Sequence, residues 1–132
     1  MLSAVRGSSM ALRLLWIINI ALGIYISYIA TDATSKPWVL GHMLNGLVIV
    51  LLLWFLGIAQ GLTKIGSVGL AVATFLVGLA LPIIGMAQPS VPDGVGLYVI
   101  QAVHVLLAIG AIALGEISAA RYRRGVAATA AA

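Results

Sequence analysis

His42 and His104 are the only histidines in a chain of 132 residues that contains no cysteine. Acidic side chains are also few, namely Asp32, Asp93 and Glu116. Imidazole nitrogen and carboxylate oxygen are therefore the main side-chain donors for a metal ion, and disulfides, thiolate catalysis and cysteine-held clusters are excluded. Chemistry at a metal centre would depend on the two histidines, and no residue is assigned a catalytic role.

The low content of charged residues indicates which segments cross a membrane and carry these histidines. Apolar residues make up 63% of the chain and charged residues 8%, whereas a soluble domain has about 25% charged residues. Such a composition cannot cover a water-facing surface, so it excludes a soluble enzyme. Crossing a membrane as a helix takes roughly 18–20 apolar residues. Charge-free stretches of at least that length run over 14–31, 37–63, 65–92 and 94–115.

These stretches predict an all-α protein with four transmembrane helices, at about residues 10–30, 38–61, 66–86 and 95–120. Residues 1–9 are expected to be a short cytoplasmic segment, and 121–132 a basic, then alanine-rich cytoplasmic tail that frays from residue 125. Short connections make consecutive helices antiparallel, which predicts an up-down-up-down bundle. We expect helix two to start near Ser35 and Pro82 to kink helix three.

The basic residues indicate how this bundle is oriented. Six of the seven fall on one side of the predicted membrane, with Lys36 alone on the other: Arg6, Arg13, Lys64, Arg121, Arg123 and Arg124. This positive-inside pattern predicts cytoplasmic termini in a multi-pass protein of a prokaryotic plasma membrane. The same pattern accounts for the excess of basic over acidic residues, so no nucleic acid partner is needed to explain it. Glu116, at the inner end of helix four, is expected to form an interfacial ion pair with Arg121 or Arg123.

Both histidines are expected in the outer half of the membrane, on helices that run in the same direction. His42 lies about five residues inside Pro37 and His104 about eight inside Gly96, and at 1.5 Å per residue the two are offset by roughly 5 Å. Helices two and four of a simple bundle sit diagonally across its core, so the imidazoles can supply both axial ligands of a haem iron. This arrangement predicts one haem b per chain.

Five further residues are candidates for binding this haem. Gly46 and Ala108 each follow a histidine by four residues, on the same helix face, and are small enough for a porphyrin to lie against the helix. Asn45 and Gln101, each three residues from a histidine, would orient an imidazole or line the pocket edge. Lys36, the only outer-side cation, would pair with a haem propionate.

Other interpretations of the histidines stay open. They could be two unrelated intramembrane residues, each hydrogen-bonded to a neighbouring helix. A zinc site is a poorer explanation, because two histidines without cysteine or a nearby acid are an incomplete ligand set for zinc.

Two short motifs contain the histidines: Gly41-His42-Met43 at the start of helix two, and the run 101–108, QAVHVLLA, in helix four. With these motifs and a looser likeness over 75–88, residues 12–120 resemble one four-helix half of heme A synthase, a family that also has compact single-unit members. The resemblance implies that His42 and His104 are haem ligands. Members carry a glutamate shortly before the second-helix histidine, whereas residues 36–41 contain no acid. The missing acid weighs against methyl-group oxidation.

The first expectation is therefore an electron-transfer protein, a membrane b-type cytochrome with two histidine ligands. It would exchange electrons with a quinol or an outer-side redox partner, as a homodimer or a small subunit of a larger respiratory complex. A compact haem-modifying enzyme similar to heme A synthase is the second possibility. A haem-free structural or assembly subunit of a larger membrane complex is the third.

Overall fold

The structure, a computed structural model, describes the backbone of residues 1–30 and 32–131 and the side chains of 1–30 and 36–131. The described part of the chain is helical and contains no strand. Its elements are α1 (Leu2–Tyr28), α2 (Asp32–Gly61), α3 (Val68–Ala87), a 3-10 turn (Gln88–Ser90) and α4 (Val95–Ala130). All four α-helices are long and apolar enough to cross a membrane. The predicted all-α class with four membrane-spanning helices is thus confirmed.

The first and last helices extend beyond the predicted spans. α1 begins at Leu2 rather than near residue 10, so the segment 1–9 is almost entirely helical. α4 continues to Ala130, and the prediction of a tail that frays from residue 125 is wrong. Alanine is the best helix former, and residues added to an existing helix need no new nucleus. The alanine-rich tail therefore prolongs α4.

The start of α2 also differs from the prediction. The helix begins at Asp32 rather than near Ser35, and Pro37 lies inside it. Pro37 is the sixth residue of the helix, so it gives up one hydrogen bond to the carbonyl four residues earlier without ending the helix. A proline shortly after a serine therefore does not fix the helix start. In α3, Pro82 is likewise inside the helix, and the Ser67 hydroxyl caps its start by accepting from the Leu70 N–H at 3.4 Å.

Consecutive helices pack as antiparallel neighbours, and α1 closes the ring against α4. The parallel helices α2 and α4 also touch across the diagonal, whereas α1 and α3 do not approach each other within the described residues. Near the far end of α2, the buried Gln60 side chain donates from Nε2 to the Ser118 carbonyl of α4 at 2.7 Å. The bundle is therefore a flattened diamond in which α2 and α4 form the short diagonal.

The buried core of this bundle is small, and its outer surface is apolar. Two clusters fill the interior, the first made of Val5, Leu12, Ile49, Leu56, Ala59, Ala119 and Tyr122 and the second of Val50, Leu53, Leu81 and Ala111. Many large apolar side chains instead point outward on every helix, for example Ile17, Leu47, Leu76 and Leu106. Such a surface suits hydrocarbon, and long helices meet the requirement that backbone groups be satisfied within the bilayer.

Glu116 forms the ion pair that joins α1 to α4. Its carboxylate accepts from the Ser9 hydroxyl at 2.9 Å and from Arg13 Nε at 2.8 Å, and it also pairs with Arg13 Nη2. Glu116 therefore forms an ion pair as expected, but its partner is Arg13 and not Arg121 or Arg123. Arg121 is five residues along and faces another side of the helix, and Arg123 is roughly 10 Å further along the axis.

Glu116→Gln is expected to lower the melting temperature only slightly. The amide can still accept from Ser9, and Arg13 loses an ion pair whose arginine side chain is 57% exposed and already hydrated. Thermal unfolding followed by circular dichroism in detergent measures the change, with Asp93→Asn, which removes the same charge at an exposed position, as the control. Equal melting temperatures for both variants and the parent would mean that the pair adds nothing to stability.

Candidate functional site

The structure brings His42 and His104 together on the short diagonal of the bundle. Their ring centroids are 6.3 Å apart, and the ring planes are tilted by 46°. Each histidine lies in the early part of its helix, so the pair sits at the end of the bundle where α1 joins α2 and α3 joins α4. Both side chains are half-buried. The convergence predicted from helix direction and depth is confirmed.

The ring spacing is compatible with one metal ion between the imidazoles. An imidazole nitrogen bonds a metal ion at about 2 Å and the ring centroid lies about 1 Å behind it, so two rings on opposite sides of one ion have centroids roughly 6 Å apart. Ordinary contacts between aromatic rings cover the same range, about 4.5–7 Å. The distance therefore permits a shared ion but does not require one. The contacts of each ring decide between a metal site and ordinary packing.

A backbone carbonyl of α1 orients the His42 ring. The His42 Nδ1 lies 3.1 Å from the carbonyl oxygen of Asn19. Since a carbonyl only accepts, Nδ1 of the neutral ring carries the proton, and the lone pair of Nε2 stays available. Metal-bound histidines are usually held in this way, with the other ring nitrogen donating to a carbonyl or a carboxylate.

The His104 ring has a polar atom without a partner. Its Nδ1 is buried and makes no hydrogen bond within the described residues. The Leu81 backbone lies beside the ring, but its geometry is not that of a hydrogen bond to Nδ1. Leaving a buried polar atom unsatisfied costs about 1–3 kcal/mol. A bound group, or a small shift of the ring toward Leu81, would remove that cost.

A glycine of the preceding helix lies beside each histidine. A Cβ atom at Gly23 of α1 would lie 3.3 Å from Cε1 of His42, and one at Gly85 of α3 would lie 3.0 Å from Cε1 of His104. Distances this short leave no room for a larger residue unless the ring moves. Both rings therefore occupy their positions because the neighbouring helix has no side chain there.

The surroundings of the two histidines are equivalent by position in the chain. His42 and His104 are 62 residues apart, and so are Gly23 and Gly85. The backbones beside the rings, at Asn19 and Leu81, have the same spacing. The hairpins α1–α2 and α3–α4 thus place a histidine, a glycine and a backbone carbonyl in corresponding positions. Sequence reasoning missed Gly23, Gly85 and the role of Asn19, and this common spacing is the signal that could have found them.

The predicted neighbours of the haem make other contacts. Asn45 donates from Nδ2 to the Leu15 carbonyl at 2.8 Å and to Asn19 Oδ1 at 3.0 Å, so it acts on His42 only through Asn19. The open side of Gly46 also faces Asn19, whose Nδ2 would be 3.7 Å from an added Cβ. Both residues therefore pack against α1.

The remaining predicted residues are not brought to the rings by any described hydrogen bond. The Ala108 carbonyl accepts from Trp16 Nε1 at 2.9 Å, and its methyl group packs on the second core cluster. Gln101 is half-buried, one turn before His104, and Lys36 is exposed near the start of α2. Contact of these residues with a porphyrin stays a prediction.

The donors at this place are the two imidazoles. Within the residues that the structure describes, no three His, Asp or Glu side chains converge into a metal-binding group. An ion held between His42 and His104 would therefore take its other ligands from a bound group such as a porphyrin. No family model, curated protein or solved structure matches the chain.

Proposed function

We propose that the protein is an integral membrane b-type cytochrome that holds one haem b between α2 and α4. The observation that carries the proposal is the convergence of the only two histidines, whose ring centroids lie 6.3 Å apart in an apolar helical bundle. They come from corresponding positions of two hairpins, as the two axial ligands of one iron would. His42 and His104 are the proposed ligands.

The residues around the rings fit this role. The Asn19 carbonyl holds His42 with Nε2 available, and the buried Nδ1 of His104 lacks a partner within the described residues. Gly23 and Gly85 let both rings reach their positions. The Leu81 backbone lies beside the His104 ring, at the position that Asn19 takes beside His42, so a small shift of the ring would orient His104 in the same way.

This ligand set favours electron transfer over catalysis. Haem b supplies one-electron redox chemistry when it is bound. If His42 and His104 both ligated the haem iron, they would leave no site there for oxygen or a substrate. The apolar helices would keep water from the site, and the chain has no acid in residues 36–41 to take part in oxidation. The enzyme alternative therefore has less support.

The charge pattern supports a location and a type of partner. Six basic residues at the other end of the bundle favour cytoplasmic termini in a prokaryotic plasma membrane. The histidines would then lie near the outer face, where electrons would pass between a membrane quinol and an outer-side redox partner. With few residues outside the helices to bind such a partner, the chain would act as a homodimer or as a subunit of a respiratory complex.

An optical spectrum of the purified protein tests this proposal. Protein expressed with a haem precursor and purified in detergent should be red, with a Soret band and, after reduction, a sharp α-band of low-spin haem. The pyridine haemochrome assay should give one haem b per chain. Mass analysis of the extracted porphyrin distinguishes the enzyme, since a modified haem would point to that alternative. A colourless, folded preparation would overturn the proposal in favour of a haem-free subunit.

A further inference from the structure

A cleft lies at the opposite end of the bundle from the histidines. It has a volume of about 340 Å³ and is lined by Arg6, Ser9, Met10 and Arg13 of α1 and by Arg123 of α4. Three of its five lining residues are arginines, from two different helices. The cleft is open to its surroundings rather than enclosed.

The charges of this cleft are only partly balanced. Arg13 pairs with Glu116, which the buried Ser9 hydroxyl also holds. Arg6 and Arg123 form no ion pair within the described residues. Arg123 is half-buried and therefore held near the cleft, whereas Arg6 is exposed. Two guanidinium groups thus keep their donors available beside a third that is fixed in place.

An apolar stripe on α1 continues from the cleft. Met10, which lines the cleft, is 67% exposed, and Leu14 and Ile17 are each 60% exposed. The spacing of four and then three residues puts these side chains on one face of the helix. A molecule with an anionic head and an apolar tail would place its head among the arginines and its tail along this stripe. A free inorganic anion has no apolar part that could contact this stripe.

We propose that the cleft binds the phosphate group of an anionic phospholipid, with an acyl chain along Met10, Leu14 and Ile17. Guanidinium groups form paired, charge-assisted hydrogen bonds with phosphate oxygens. Basic pockets between transmembrane helices are typical sites for such headgroups. Bound at this site, the lipid would bridge α1 and α4 beside the Arg13–Glu116 pair. The site is independent of haem.

Native mass spectrometry of the detergent-purified protein tests the site, with phosphatidylglycerol, phosphatidylcholine and inorganic phosphate as probes. The parent protein should retain phosphatidylglycerol in preference to phosphatidylcholine. Arg6→Gln/Arg123→Gln should bind phosphatidylglycerol roughly 30-fold more weakly, since each arginine near an anionic surface contributes about fivefold. The control Arg121→Gln/Arg124→Gln removes the same charge at the same end of the bundle but outside the cleft, and should bind nearly as well as the parent.

Three results would overturn the proposal. Equal losses in both double variants would mean that only overall charge matters. Unchanged binding of phosphatidylglycerol by Arg6→Gln/Arg123→Gln would show that the lipid does not bind in the cleft. Retention of inorganic phosphate without lipid preference would make the ligand a free anion. If the double variant does not fold by circular dichroism, the single variants Arg6→Gln and Arg123→Gln give the same comparison, each with about fivefold weaker binding expected.

Discussion

Replacement of either His42 or His104 by alanine is expected to remove haem from the purified protein. Each variant deletes one of the two proposed axial ligands, and the other histidine of the pair is the only one left in the chain. Loss of a partner that merely supports a ligand lowers affinity by about 10–100-fold. Loss of a ligand itself should therefore cost roughly 100-fold or more, with disappearance of the low-spin α-band from any haem that stays bound.

The measurement is the ratio of Soret absorbance to protein for both variants, beside a control that disturbs the same region. Asn45→Ala removes two hydrogen bonds to α1 but no contact with either ring. It should weaken haem binding less than either histidine variant and keep the low-spin α-band, because both proposed ligands remain. If both histidine variants kept a full complement of low-spin haem, the ligands would have to be other residues.

Glycine variants of the same positions separate loss of a ligand from loss of structure. His42→Gly and His104→Gly each leave a space of imidazole size on one side of the proposed iron position. Added imidazole should then restore haem binding and the low-spin spectrum in each variant. Recovery in one variant only would assign a single ligand. No recovery in either, with folded protein, would contradict coordination by this pair.

The number and direction of the helices could be predicted from the sequence because the bilayer sets the length of a span. A charge-free run of sufficient length specifies a crossing, and the gaps between runs specify the connections. The ends of the helices could not be found in this way. Charges mark where the chain leaves hydrocarbon, whereas α1 from Leu2 and α4 to Ala130 continue beyond those points through local helix propensity.

The approach of the two histidines was predictable, but the surroundings of their rings were not. His42 and His104 lie at similar depths on parallel helices, so they approach each other once both helices turn them toward the core. The rotation of each helix decides what lies beside a ring, and helices that are apolar on all sides carry little information about rotation. The prediction that Gly46 and Ala108 contact the haem assumed which face of each helix points toward the site. The structure instead places Gly23 and Gly85, on the neighbouring helices, against the rings.

Filling the space at Gly85 is expected to weaken haem binding without removing a ligand. In Gly85→Val the first side-chain atom alone would lie 3.0 Å from Cε1 of His104, and two methyl groups follow it. The ring must turn or move away from α3, and forced overpacking costs about 1–3 kcal/mol. If His104 binds iron only from its present position, that cost lowers haem affinity by roughly 5–150-fold. Gly23→Val should act in the same way on His42, more weakly because its contact is 3.3 Å.

The chain offers matched controls for these two substitutions. A Cβ at Gly110 of α4 or at Gly41 of α2 meets no described atom within 4 Å outside its own helix, so valine there should leave haem affinity unchanged. Titration of the haem-free variants with haemin measures all four affinities on one scale. Gly85→Val with the affinity of Gly110→Val would show that the position of His104 does not matter, which is incompatible with its being an axial ligand. Weaker haem binding by Gly85→Val, with an unchanged melting temperature, would show that the substitution acts on coordination of the iron. A histidine that served only helix packing would change the stability instead.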